Sequence, residues 1–211
     1  MSLGWPEDFI NKIICGDCLE VMKDMPDGCV DLIITDPPRG IDLDYGKYCD
    51  NRDNLGELIK KIMPEILRVG KRVLIACGLL EINFYPQPDW ILAWVYKGGN
   101  NRCSWGFQCW QPILAYGKDP YLQDGLGGRP DIIFDNRPPA KSEHPCPKPI
   151  QFWENLLLRG SVREEDVVLD PFLGSGTTVE VCKLTHRNFI GIEINPDYCK
   201  IAEERLAQGV L

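Results

Sequence analysis

Two short stretches hold the residue types and spacings with which this chain could do chemistry. The first, DLIITDPPRG at Asp31–Gly40, runs apolar and then stops on an acid, two prolines and an arginine. Pro37 and Pro38 donate no backbone hydrogen bond and hold φ near roughly −65°. The residue before each is pushed out of the helical region. The stretch predicts a stiff turn with fixed carbonyls and Asp36 presented at a strand end, which suits a site better than a core. A purely structural turn is the competing reading, which the other motifs disfavour.

The second stretch is VVLDPFLGSGTTVEV. It predicts a buried strand ending at Asp170, a glycine-bearing turn, and a helix opening near Thr177. Glycines let a backbone approach a ligand closely, and a helix N-terminus favours an anionic group. A dinucleotide fingerprint would place a third glycine where Val179 stands. A phosphate-binding P-loop would have lysine before its hydroxyl residue, and this chain has Thr177-Thr178. Downstream, FIGIEIN predicts a strand ending in Glu193, roughly 20 residues past the first glycine, where an acid grips ribose hydroxyls in nucleotide folds. A glycine turn and a ribose acid without phosphate machinery point to a nucleoside cofactor, and S-adenosyl-L-methionine fits.

The elements that must position these residues follow from periodicity. Strand-length apolar runs recur as KIIC, VDLIIT, RVLIAC, WILAWVY, PILAYG, VVLD and NFIGIE. Most lack polar alternation, as in parallel sheets covered on both faces. Helical spacing falls between them in NLGELIKKIMPEILRVG, KPIQFWENLLLRG and NPDYCKIAEERLAQG. Gly70 is placed to end the first, Pro64 to kink or break it, and Asn195 with Pro196 to open the last. The expectation is an α/β, doubly wound, Rossmann-like sheet forming a single domain over residues 4–211. Residues 118–149, rich in Gly, Pro and Asp, show little periodicity, and so long a loop in a compact domain is usually functional.

Bulk properties set the class. The 211 residues can bury a full core, and 44% apolar with 26% charged residues is ordinary for a globular protein. No run approaches the roughly 20 apolar residues of a membrane span. The N-terminal MSLGWPEDF lacks signal-peptide character, so a cytoplasmic location and no membrane partner are expected. The net charge of −8 argues against an electrostatic coat for nucleic acid, yet the stretch from Lys97 to Lys148 is weakly basic. The ten cysteines read as reduced thiols in apolar or strand-like settings. CGDC has zinc-ligand spacing, with Cys146 and His144 available, but the pair does not recur and no metal is expected.

The pieces GDCLEVMKDMPDGCVDLIITDPP, HPCPKP and LDPFLGSGTTVEVCKLTHRNFIGIEINPDYCKIAEERL resemble the amino-methylating DNA methyltransferases of the permuted β type, in which the DPPY block precedes the FxGxG block. The resemblance implies a seven-stranded, mostly parallel sheet with the last strand antiparallel and helices on both faces. It implies that Asp17, beside Cys18, contacts the cofactor adenine, and that Glu193, followed by Ile194 and Asn195, holds the ribose. Asp170 and the run Phe172, Gly174, Ser175, Gly176, Thr177 and Thr178 would take the methionine end. Lys148 and Pro149 would border the cofactor, with Asp36 between cofactor and target. Residues 118–147 fall where such enzymes recognise their target. The resemblance implies double-stranded DNA with a flipped base as the partner, in a restriction-modification setting, and is compatible with a homodimer.

In-line methylation of an exocyclic amine requires a nitrogen lone pair that is delocalised into the base. The Asp36 carboxylate and Pro37 carbonyl could bind the two amine hydrogens and draw the nitrogen toward sp³ geometry, with Pro38 fixing the turn. Such enzymes carry an aromatic residue after the prolines to stack on the base; here Arg39 stands there. Three readings stay open: Arg39 supplies the stacking plane, Tyr45 or Tyr48 does, or the site is crippled. The Asp of DPP favours adenine N6 over cytosine N4. A degenerate module that binds cofactor or DNA without chemistry stays open as well, as does methylation of RNA or protein on the same fold.

Overall fold

The computed structural model describes residues 3–41, 48–96, 102–134 and 148–207. In chain order the strands are β1 (Lys12–Cys15), β2 (Leu32–Thr35), β3 (Val73–Ala76), β4 (Trp90–Val95), β5 (Arg102–Cys103), β6 (Gly106–Phe107), β7 (Trp110–Tyr116), β8 (Ile132–Phe134), β9 (Val167–Asp170) and β10 (Asn188–Glu193). The α-helices are α1 (Cys18–Lys23), α2 (Arg52–Val69), α3 (Pro120–Gln123), α4 (Ile150–Gly160), α5 (Thr177–Leu184) and α6 (Pro196–Ala207). All seven apolar runs are strands, and the three periodic segments are α2, α4 and α6.

Among the described residues the main sheet has eight strands, one more than expected, in the order β1-β10-β9-β2-β3-β7-β4-β8. The extra strand is β8, inside the stretch expected to lack structure. It pairs in parallel with β4, Phe134 opposite Val95, and its three residues are too few to show a period. The short α3 was missed for the same reason. Within this sheet, antiparallel pairing among the described residues is confined to β7, which runs against both β3 and β4; β5 and β6 form a separate antiparallel pair. Strand β7 is interior and three strands of the chain follow it, so the expectation of a last antiparallel strand is corrected.

Side chains of the fully buried strands alternate between two cores. Ile33 and Ile75 pack on one face with Met22 of α1 and Ile59, Ile62 and Ile66 of α2. Leu32, Ile34 and Leu74 pack on the other with Phe152, Trp153, Leu156 and Leu157 of α4. Gly160 lets α4 come down on that face, since a Cβ there would sit 2.7 Å from Leu32 Cδ1. Pro64 neither ends nor splits α2, which runs unbroken to Val69; Gly70 N–H closes it on Ile66 O.

Strands β9 and β2 are adjacent, yet α5, which follows β9, and α2, which follows β2, cover opposite faces. That makes the carboxyl ends of β9 and β2 the topological switch point, where open α/β sheets form their crevice.

Candidate active site

A cavity of about 210 Å³ opens at that switch point, built from the turns that leave β1, β10, β9 and β2. From β1 come Gly16, Asp17 and Cys18. Asp17 is extended and caps α1, its Oδ1 accepting from Leu19 N at 2.8 Å. From β10 come Glu193 and Ile194. Glu193 Oε2 accepts from Gly174 N and Oε1 from Asn195 N, both at 2.8 Å. Burial raises the Glu193 carboxyl, against those backbone amides and that of Ile194. Asn195 does not line the cavity; it caps α6, its Oδ1 taking the Asp197 N–H at 2.9 Å.

From β9 the turn contributes Asp170, Phe172, Gly174 and Ser175, and α5 contributes Thr177 and Thr178. Gly176 stands behind the wall. It has φ 89°, and a Cβ there would come within 2.8 Å of Ala202 Cβ, so only glycine lets α5 and α6 meet. Asp170 is the buried anchor of the turn. Its Oδ1 accepts from Thr35 Oγ1 at 2.7 Å and from Phe172 N at 3.0 Å, and its Oδ2 from Thr178 Oγ1. Trp153 Nε1 donates in turn to Thr178 Oγ1 at 2.7 Å. Burial pushes the Asp170 carboxyl up to about 6, against the bonds from Thr178, Thr35 and Phe172.

From β2 come Asp36 and Pro38; Pro37 is buried behind them. Asp36 meets two cations. Arg39 Nη2 donates to its Oδ1 at 2.8 Å, and Lys148 Nζ donates to its Oδ2. Lys148 is buried and lines the cavity, while Pro149 lies just outside as the residue that opens α4. Burial pushes the Asp36 carboxyl up, but Arg39 and Lys148 outweigh it and hold it below its usual range. Arg39 is thus folded onto Asp36 and does not line the cavity.

Sequence reading missed Pro171, Tyr48's place in the wall, Leu58, Trp153 and Tyr198. Pro171 and Tyr198 lie within the quoted motifs, and Trp153 sits one helical turn past Lys148-Pro149; Leu58 carried no signal. The Tyr48 hydroxyl is buried with no hydrogen-bond partner among the described residues. Tyr45, His144, Cys146 and residues 135–147 lie outside the described residues. Not all cysteines are sheltered: Cys15, Cys49 and Cys109 are exposed. Cys18 and Cys77, near Asp17 and Asp36, are each pushed up to about 12, chiefly by burial, and are poor nucleophiles.

A family profile described as DNA methylase, of the N6/N4 methyltransferases, matches residues 93–204. The type II methyltransferase M.HpaI of Haemophilus parainfluenzae is 30% identical over 92% of this chain and 74% of its own length. The chain belongs to the DNA methylase family. Among solved structures, the methylase resembles the M1.HpyAVI–SAM complex at 26% identity and a TM-score of 0.67, over 92% of this chain and 98% of that one. It shares its fold with the cytosine-N4-specific PvuII DNA methyltransferase, at 15% identity and a TM-score of 0.71, over 92% of this chain and 85% of that one. Membership places the protein among the enzymes that methylate the N6 or N4 amine of DNA bases. Among the described residues no helix is long and apolar enough to cross a membrane.

Proposed function

We propose that the enzyme moves a methyl group from S-adenosylmethionine to the N6 amine of adenine in double-stranded DNA. The observation that carries this reading is Asp36, set by the diproline turn at the switch point and lining the same cavity as Asp17 and Glu193. The residues present suit the cofactor. Asp17 and Glu193 offer carboxylate oxygens from adjacent strand ends, Phe172 to Thr178 offer a close backbone turn, and the Tyr48 hydroxyl has no hydrogen-bond partner among the described residues. When bound, the cofactor supplies an electrophilic methyl on a sulfonium.

The chain's own residues then bind and aim the base. Asp36 accepts one amine hydrogen and the Pro37 carbonyl the other, drawing the nitrogen toward sp³ geometry. Because its carboxyl is held below the usual range, Asp36 is a weak base and acts as an acceptor rather than a proton sink. Flipping the base from the duplex costs a few kcal/mol, recovered from contacts around the site. Recognition would draw on residues 118–147. Residues 118–131 start at the far end of the sheet, beside a second cavity of about 540 Å³, and β8 carries the chain back toward the catalytic end.

One contact favours a second reading. With Oδ1 on Arg39 and Oδ2 on Lys148, an incoming amine must displace or share a cation, which a degenerate binding module would never do. Incubating the protein with labelled cofactor and an unmethylated DNA library, then identifying the modified base by mass spectrometry, separates the readings. N6-methyladenine is expected. N4-methylcytosine would overturn the adenine assignment, and cofactor binding without transfer would establish the degenerate module.

A further inference from the structure

Between β4 and β7 the chain leaves the main sheet to form the β5–β6 hairpin, with Arg102 opposite Phe107 and Cys103 opposite Gly106. The hairpin springs from the catalytic end. Val95 pairs with Trp110, and the Tyr96 N–H donates to Cys109 O at 3.0 Å.

Ser104 and Trp105 form the turn, and Trp105 is 97% exposed. Two-residue hairpin turns call for Gly, Asn or Asp, so the turn does not demand a tryptophan. Packing does not demand it either. Phe107 and Trp110 beside it are also exposed, making an aromatic edge on the catalytic side. Charge indicates the partner. Acids outnumber bases 31 to 23 in the chain, yet residues 90–117 contain Lys97 and Arg102 and no acid. An aromatic tip on an acid-free segment fits a polyanion that offers base faces.

We infer that Trp105 is a wedge that enters the duplex beside the target nucleotide and stacks on the bases left when that nucleotide flips. The inference rests on the DNA-methylation reading. Stacking there offsets the unstacking that flipping costs, and the added contact holds the duplex open.

The test compares wild type, Trp105→Ala and Trp105→Phe in binding to a mixed-sequence duplex and to the same duplex carrying abasic sites. Methyl transfer to unmethylated DNA and calorimetry with S-adenosylmethionine are measured alongside. Trp105→Ala should weaken duplex binding about tenfold or more, within the range for loss of one stacked base, and lose the preference for abasic DNA. Trp105→Phe should restore both to within about threefold, and cofactor affinity should be the same in all three proteins. Because stacking releases no counterions, the salt dependence of binding should keep its slope. Equal DNA binding by wild type and Trp105→Ala, with methyl transfer intact, overturns the wedge and leaves the methyltransferase reading standing. A drop in sedimentation mass on Trp105→Ala without change in DNA binding would instead make the tip a contact between copies. Failure of wild type to bind or methylate DNA, with cofactor bound, is failure of the functional reading itself.

Discussion

On one side of the cavity Asp17, Asp170 and Glu193 receive backbone amides and threonine hydroxyls; on the other, Asp36 receives a guanidinium and an ammonium. Asp170 and Asp36 end neighbouring strands, yet burial wins at Asp170 and raises its carboxyl, while the cations win at Asp36 and lower it. Neutral donors orient a carboxylate without cancelling its charge, so the cost of desolvating it remains. The β9 and β10 side therefore keeps acceptors for hydroxyls and cationic ligand groups. The β2 side keeps a carboxylate that stays ionised but is already occupied.

The contrast breaks most visibly at Asp36. Asp36→Ala should lower methyl transfer by on the order of 10²–10³-fold, the scale for losing a preorganised electrostatic group. Cofactor affinity should stay within about threefold, since the role proposed for Asp36 is at the target amine. Initial rates with calorimetry check this, and a collapse of cofactor affinity would move Asp36 to the cofactor side.

Asp170 tests the other half through stability. Its folded carboxyl sits at about 6 against an ordinary 3.8, so between those values the native state holds a proton that the unfolded chain has released. Stability should therefore fall as pH rises through that window, by on the order of 3 kcal/mol if Asp170 acts alone. Asp170→Asn should flatten the dependence, as read from denaturant midpoints across the window. An unchanged slope would assign the titration to another group.

Glu193→Ala removes a buried acceptor from the proposed ribose site and also orphans the amides of Gly174 and Asn195. Cofactor binding should weaken by about 1–3 kcal/mol, measured by calorimetry, with Asp36-dependent chemistry retained at saturating cofactor.

The smallest effect sharpens the contrast. Arg39→Tyr frees Asp36 Oδ1 and supplies an aromatic plane, and should raise the transfer rate about tenfold, or 1.4 kcal/mol. A fall in rate, with Arg39→Ala lower still, would show that the guanidinium is needed where it stands.

Much of this site was legible because its motifs are local. Pro37 and Pro38 force their turn through covalent geometry, and Gly174 and Gly176 occupy left-handed backbone at φ 56° and 89° that few other residues adopt. The strand count was less legible. The three residues of β8 are strand only because β4 offers an edge, and no periodicity announces that. Trp153 and Tyr48 reach the cavity from elements that carry no motif of their own.

The sequence by itself determined the strand ends and turns, the order of the two motif blocks and the acids they present, since each depends on neighbours within a few residues. Only the tertiary structure decided what those acids meet. Lys148 lies 112 positions from Asp36, and Thr35 lies 135 from Asp170, yet each pair is in contact at the switch point. A carboxylate's state is set by the charges and donors that folding brings within a few ångströms, at positions sequence distance does not encode.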